Sequence, residues 1–385
     1  MAMDAGELIV TLWLICTALA IVGSAYLAFA AFLLRQLSGV RPPRLRFARG
    51  VTILKPLCGA EPELEANLAS FCLQTYPGPI QIVLGVSNAV DPAAAVARRL
   101  ITRFPDLDIE LMVGAQTHGA NRKISNLIDM ASHARHDVIV LSDSDIKVDR
   151  AYLRQVVAAL DEPGIGLVTC LYRGRTSDSA LWSRLAAMAI NYHFLPNVLV
   201  GLRLGLARPC FGSTIGLRRE TLDRIGGFCR FANQLADDYA IGKAIRDLGL
   251  HVAIPPMIVD HVCSEQTLRG LARHELRWAR TIRLIDPAGH AGSIVTHPLP
   301  FALAAAVLGG LSGTGLGIIV LALVCRALAP VQTERMRGTG GSSLWLTPLR
   351  DLLSFAILLV SFLPGPVTWR GQRFAVRSDG TLTPT

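Results

Sequence analysis

The sequence predicts an α/β protein whose mostly parallel, doubly wound sheet lies between membrane-spanning helices near its two ends. Three observations carry that prediction. From residue 51 to residue 172, short β-branched runs alternate with helical runs long enough to act as crossover connections. The central run, Val138-Ile139-Val140-Leu141, is continuously apolar, as a strand buried on both faces must be, and it stops at the acidic cluster Ser142-Asp143-Ser144-Asp145. Residues 8–34, 301–328 and 344–363 are apolar runs; the first carries no charge and exceeds the roughly 20 residues that span a bilayer core.

Composition agrees with a chain only partly in water. Of 385 residues, 51% are hydrophobic and only 17% are charged, which is too apolar for a wholly soluble protein. Asp4 and Glu7 precede the first apolar run, and Arg35, Arg41, Arg44, Arg46 and Arg49 follow it. The positive-inside rule then predicts an uncleaved anchor with its N-terminus outside and everything after Arg35 cytoplasmic. A net charge of +9 suits an anionic leaflet. Nucleic acid is not expected as a partner, because the basic residues gather beside apolar segments with no aromatic-interleaved stripe. Eight cysteines without a Cys-x-x-Cys pair argue against zinc, and a cytosolic location argues against a disulfide framework.

Taken in order, residues 51–56 read as the first strand, ended by Pro56, and 60–73 as a helix. A second strand at 80–86 leads to Asp91-Pro92, a cap for the alanine-rich helix at 93–104. A third strand follows at 109–113, then a helix through Ala131 entered by Asn121-Arg122-Lys123, and then the 138–141 strand. Beyond a helix at 150–160, strands are expected at 166–172 and 211–217, and a helix from Arg218 should end at Gly226-Gly227. The apolar stretch 180–207, kinked or broken at Pro196, either packs in a core or dips into the membrane surface. Residues 267–284 form a basic amphipathic helix, a flexible polar loop at 334–343 separates the last two apolar runs, and the tail carries Arg370, Arg373 and Arg377.

Chemistry is expected where strands end. If the backbone stays extended past Leu141, the period of two points Asp143 and Asp145 to one side at the carboxyl edge, where open α/β sheets bind ligands. Two such carboxylates suit a divalent cation, Mg²⁺ or Mn²⁺, with a nucleoside diphosphate as its guest; the plain alternative is an acidic turn after a core strand. Asp91 reads first as a helix cap, Lys123 as a solvated residue at a helix start, and His193 as a packing histidine. Asp237 and Asp238 open a helix whose dipole favours both, although capping needs only one. His274, Arg277 and Trp278 share a helix face, where a phosphate clamp with an indole platform competes with simple membrane contact.

The ordered set Leu54-Lys55-Pro56-Leu57-Cys58-Gly59, Gln74-Thr75-Tyr76-Pro77, Asp91-Pro92-Ala93, Lys123-Ile124-Ser125-Asn126-Leu127, Asp143-Ser144-Asp145, Asp237-Asp238-Tyr239 and Arg277-Trp278 resembles the ceramide glucosyltransferase-like family of GT-A glycosyltransferases. The likeness runs from about residue 51 to 284, and is greatest to the bacterial hopanoid-biosynthesis branch in Cys58-Gly59-Ala60-Glu61-Pro62 and the closing Asp379-Gly380. It implies a GT-A type nucleotide-sugar-binding domain in the bacterial inner membrane, multi-pass, with its catalytic part cytoplasmic. It implies nucleotide contact by Asp91, nucleotide and metal binding by Asp143 and Asp145, and Asp238 as catalytic base beside Asp237, which replaces a glutamate. Lys123, His193, His274, Arg277 and Trp278 are expected on the nucleotide-sugar, with His274 departing from the family's Gln or Arg.

These expectations assemble into an inverting transfer from a UDP-sugar to a lipid hydroxyl. The favoured pair is N-acetylglucosamine to a hopanoid, bacteriohopanetetrol, with ceramide and glucose the alternative. A processive polysaccharide synthase is the rival enzyme, disfavoured by too few spans, and a lipid-binding scaffold leaves the acidic positions at element ends without a reason. The expected division is an anchor at 8–34, a cytoplasmic catalytic domain at 48–290 including the interfacial helix 267–284, a transmembrane region of about two spans at 298–366, and a cytoplasmic tail at 367–385.

Overall fold

The computed structural model describes residues 4–37, 39–337, 344–363, 365, 367–369, 372–376 and 380–384. The chain divides into two compact units: Arg41–Asp178, Pro209–Ser264 and Pro366–Thr385 make an α/β unit, and Met1–Val40, Ser179–Arg208 and Glu265–Gly365 a helical one.

In the α/β unit the strands are β1 (Val51–Pro56), β2 (Ile80–Val86), β3 (Asp108–Val113), β4 (Val138–Leu141), β5 (Ile146–Lys147), β6 (Ile165–Val168), β7 (Leu171–Thr176), β8 (Ile215–Arg218), β9 (His251–Ala253) and β10 (Ile258–Cys263). Seven of them form a mixed, mostly parallel sheet in the order β3-β2-β1-β4-β8-β6-β9. Side chains of β1 and β4 alternate between two cores. Val51, Ile53, Val138 and Val140 enter one, Leu54, Ile139 and Leu141 the other, and all seven are fully buried. Each such side chain contributes roughly 1.5–3 kcal/mol of burial, which is why these strands read as unbroken apolar runs. The cap predicted at Asp91 forms, accepting from the Ala93 amide at 2.9 Å, and Asn121 caps the helix it leads into, accepting from the Ile124 amide at 3.1 Å.

Three departures place the site. β8 runs antiparallel to β4, pairing Ile215 with Leu141, so the turn before β8 lies at the carboxyl edge of β4. Residues 211–214 form that turn, and the strand expected from 211 begins only at Ile215. The single strand expected at 166–172 is two: the Thr169 amide closes on Ala253 at 2.9 Å, and the chain then leaves the main sheet so that β7 pairs with β10 in a second sheet, β5-β10-β7. The tail expected at 367–385 contains a three-stranded antiparallel sheet of β11 (Val367–Trp369), β12 (Gln372–Val376) and β13 (Leu382–Pro384). Arg370, Arg377 and Asp379 lie outside the described residues.

Four described helices of the second unit are long and apolar enough to cross a membrane: Ala5–Leu37, Leu181–Arg203, Gly313–Thr333 and Leu344–Ser361. Pro287–Thr296 with Pro298–Leu308, bent by 57°, makes up to a fifth. The run 301–328 is interrupted because Gly310 and Leu311 take left-handed backbone, at φ 66° and 56°. Small residues let helices approach: a Cβ on Gly23 would lie 2.5 Å from the Val295 carbonyl, and one on Gly315 2.9 Å from Ala306 Cα. Pro196 does not break its helix; a π turn, Ile190–Phe194, widens it upstream, with the Leu195 amide reaching the Ile190 carbonyl. The stretch 334–337, expected as loop, continues the Gly313–Arg337 helix, and 338–343 lie outside the described residues.

Ile53→Ala is expected to cost about 2–5 kcal/mol, as other truncations in packed cores do. A wild-type thermal midpoint of the variant in detergent would contradict the packing of β1 into this core.

Candidate active site

The site grows from four element ends at one edge of the main sheet. Lys123, in the first turn of the Arg122–His133 helix, ion-pairs with Asp143 at 2.8 Å and Asp237 at 3.1 Å. Burial alone would pull its ammonium down, but Asp143 and Asp237 outweigh that and hold it above the ordinary lysine value. Asn121, the cap of the same helix, donates to Asp237 Oδ1 at 3.2 Å and to the Gln234 carbonyl at 2.9 Å. The turn before β8 completes the cluster. The Gly212 carbonyl accepts from the Asp143 amide at 3.2 Å, and the Gly212 amide donates to Asp238 Oδ2 at 3.0 Å. A Cβ on Gly212 would sit 2.6 Å from Asp143 Oδ2 and 3.1 Å from Lys123 Nζ, so the close approach requires glycine.

Asp238 differs from its neighbour. Asp237 is buried and tied to Lys123 and Asn121, whereas Asp238 is partly exposed and accepts from the Gly212 and Tyr239 amides. Burial and the nearby Asp237 carboxylate push Asp238 up to about 6, against the opposing pull of Lys123. That value lies where a general base works near neutral pH.

The backbone does not stay extended through the acidic cluster. It turns at Ser144-Asp145, with the Ile146 amide donating to the Asp143 carbonyl at 3.3 Å, and each aspartate finds its own partner. Asp145 Oδ1 is buried, makes no hydrogen bond among the described residues, and lies 3.6 Å from His261 Nδ1. His261 is brought there by β10, where it pairs with Ile146, the residue after Asp145. A carboxylate oxygen and an imidazole nitrogen so placed suit a divalent cation, and the orphaned oxygen supports that fit. Asp143 is committed to Lys123 in this arrangement.

Three contributors escaped the sequence reading. Gly212 sits in Phe211-Gly212-Ser213-Thr214, whose glycine among small polar residues could have signalled a turn instead of a strand start. His261 follows Asp260 inside an apolar strand, with nothing local to link it to Asp145. Lys55, fully buried at the end of β1, donates to the Asp143 carbonyl and, at 3.3 Å, to Ser142 Oγ, and its ammonium lies 4.0 Å from the Phe71 ring centroid. Burial lowers it to about 7, with Asp143 and Asp145 opposing the fall.

Asp91 lies just beyond β2 at the same sheet edge, where besides capping its helix it accepts from the Gly59 amide at 2.8 Å. The remaining expected residues belong to the helical unit. His274 and Trp278 meet edge to face at 4.6 Å on the Leu268–Ile285 helix that also carries Arg277, and His274 bonds Glu265 at 2.7 Å. His193, in the π turn, contacts Arg326, stacks on His297 at 5.2 Å and lies 3.5 Å from Asp351. His193, His297 and Asp351 offer donor atoms within 4.8 Å of one another. Arg326, 2.8 Å from Asp351, already supplies the positive charge there, which makes the group a buried ion-pair network.

A family model described as glycosyl transferase family 21 matches residues 15–382. The chain belongs to glycosyl transferase family 21. Its α/β unit is built on the mixed, mostly parallel sheet described above. Among relatives, ceramide glucosyltransferase 1 of Caenorhabditis elegans is 22% identical over 347 residues, covering 86% of this chain and 73% of that protein. A ceramide glucosyltransferase of Komagataella phaffii is 34% identical over 124 residues, covering 31% of this chain and 24% of that protein. Among solved structures, the mannosyltransferase PcManGT from Pyrobaculum calidifontis in complex with GDP-Man and Mn²⁺ is 23% identical with a TM-score of 0.49, covering 90% of this chain and 97% of that one.

Substituting Gly212 by alanine should leave the family 21 enzyme folded while weakening Mn²⁺ binding about tenfold, since residues that orient ligands cost 10–100-fold in affinity when changed. Titration of the full chain with Mn²⁺ reads this; unchanged affinity would show that Gly212 does not govern the acidic cluster.

Proposed function

We propose that this family 21 enzyme transfers a hexose from a UDP-sugar to a hydroxyl of a membrane lipid, inverting the anomeric carbon. One observation carries the reading: the Asp143 backbone amide and the Asp238 carboxylate bond the two sides of the Gly212 peptide, so the residue suited to a nucleotide–cation complex and the carboxylate suited to proton abstraction share a single turn. Asp91, Asp143 and Lys123 would hold the nucleotide. Asp145 with His261, helped by Asp143, would hold a divalent cation, which when bound offsets charge on the diphosphate. His193, His274, Arg277 and Trp278 are proposed as further contacts to the donor, with Arg277 opposing negative charge on the leaving group. Asp238 takes the proton of the acceptor hydroxyl as its oxygen bonds the anomeric carbon and the bond to the diphosphate breaks. Asp237, held by Lys123 and Asn121, keeps the helix start in place.

Ceramide receiving glucose is the first candidate pair, because ceramide glucosyltransferases are among the relatives the chain is similar to, one of them over 86% of this chain. This reverses the ordering expected from the residue motifs. Bacteriohopanetetrol receiving N-acetylglucosamine keeps the support of Cys58-Gly59-Ala60-Glu61-Pro62, whose Gly59 amide bonds Asp91. Four or five helices long enough to span remove the objection to a processive synthase based on span number. Family 21 membership is what now favours a single transfer to a lipid. We place the active site on the cytoplasmic face of a cell membrane, where the arginines following the first helix support that orientation.

Purified protein in detergent, offered each lipid with UDP-glucose and UDP-N-acetylglucosamine and followed by product mass, should yield glucosylceramide, and chelator should abolish it. Product from the hopanoid alone would reverse the order of acceptors, and a growing glycan would overturn the lipid reading. Asp238 must be ionised to act, so turnover should fall as pH drops through about 6 and level off above it. A profile flat from pH 5 to 8, or Asp238→Asn retaining turnover, would remove Asp238 from the base role.

A further inference from the structure

The C-terminal sheet is docked at one place that matters for the site. The Leu235 amide donates to the Gly380 carbonyl at 3.0 Å, Thr381 bridges Gln234 in antiparallel fashion, and the Leu382 amide donates to the Asn233 carbonyl at 2.8 Å. Leu382 is buried, and Gly380 takes left-handed backbone at φ 82°, which lets the strand turn onto this edge. The other side of the same segment is held by the Gly119–Asn121 turn. Ala120 donates its amide to Asn233 Oδ1 at 2.9 Å, Asn121 donates its amide to the Ala232 carbonyl at 2.8 Å and its side chain to the Gln234 carbonyl at 2.9 Å. Residues 232–235 are therefore clamped between tail and turn, and one residue further on the chain reaches Asp237 and Asp238.

We infer that the C-terminal strand is a positioning element for the catalytic base: by completing the clamp on residues 232–235 it sets where the Asp238 carboxylate stands. Neither an isolated turn nor the Asp237–Asp247 helix can do this alone. Ala236, before the helix, makes no side-chain cap, so its entry angle depends on the segment that precedes it together with the Lys123 and Asn121 contacts to Asp237. An error of about 1 Å in a reacting group is enough to cost orders of magnitude in rate. The inference rests on Asp238 being the base.

Two full-length variants test it. Gly380→Val forces a β-branched residue into left-handed backbone, with its Cβ 3.1 Å from Gln234 Oε1, and Leu382→Asp places a charge in a buried position. Both should lower kcat about tenfold or more while leaving the KM for UDP-sugar within about twofold, the pattern of a group acting on the acceptor proton. Leu382→Ile should restore wild-type kcat. Amide hydrogen exchange at residues 236–239 should quicken about tenfold in the first two variants, with β4 unchanged. Wild-type kcat in both variants would overturn the inference, as would a joint collapse of kcat, KM and thermal midpoint, which marks a purely stabilising tail. If wild-type protein transfers no sugar, the base assignment itself fails; exchange at 236–239 then decides the clamp alone, and unchanged exchange overturns it.

Discussion

The ammonium of Lys123, between Asp143 and Asp237, is the interaction on which the acidic edge of the sheet depends. Asp143, Asp237 and Asp238 come together from β4 and from the start of a helix. Two unit charges 4 Å apart in a medium of effective dielectric near 20 repel by about 4 kcal/mol, so the cluster needs a cation built into the fold. Lys123 is suited to this because its helix is capped by Asn121, and the same Asn121 reaches Asp237. Helix entry, charge compensation and the tethering of Asp237 thus come from two residues of one helix start, Asn121 and Lys123.

With that cation in place, the carboxylates diverge in character. Asp237 is buried against two partners. Asp238 accepts from the Gly212 and Tyr239 amides and is partly exposed, and burial with a like charge beside it raises its proton affinity. Asp145 is turned away from Asp143 at Ser144 and lies beside His261. Lys55 acts from beneath, where its ammonium ties the Asp143 carbonyl to the end of β1, the strand at which the sheet order reverses direction. Open α/β sheets place their ligands at such a point.

Much of the fold was legible because its strongest signals are periodic. A four-residue run buried on both faces, a helix cap such as Asp91, and apolar runs of bilayer length all follow from local rules. The antiparallel insertion of β8 was not legible, since direction in a sheet is set by where the chain returns from and leaves no mark within four residues. Gly212 and His261 were missed for the same reason: each acquires its role from a partner strand distant in sequence. Acidic residues at element ends were readable because an unpaired carboxylate is costly and conspicuous, whereas a glycine or a strand histidine looks ordinary until its neighbours are known. The closing sheet was invisible for another reason, because strands of three to five residues are too short for an alternating apolar pattern to announce a buried face.

The helical unit answers the same electrostatic problem under a harsher constraint. Charges taken out of water must be paired and hydrogen-bonded, and the fully buried Arg326 and Arg350 each face a carboxylate, Asp351 at 2.8 Å and Glu275 at 2.6 Å. Arg350 makes a bidentate bond to Glu275, joining a span to the Leu268–Ile285 helix that carries Arg277 and Trp278. A bidentate pair fixes orientation as well as distance. The basic amphipathic helix is consequently anchored through Glu275, on the turn between His274 and Arg277, and its placement is set by buried pairing more than by attraction to lipid headgroups. That pairing holds the Leu268–Ile285 helix and the Thr347–Ser361 helix in one fixed orientation, as buried charge in an apolar helical unit requires.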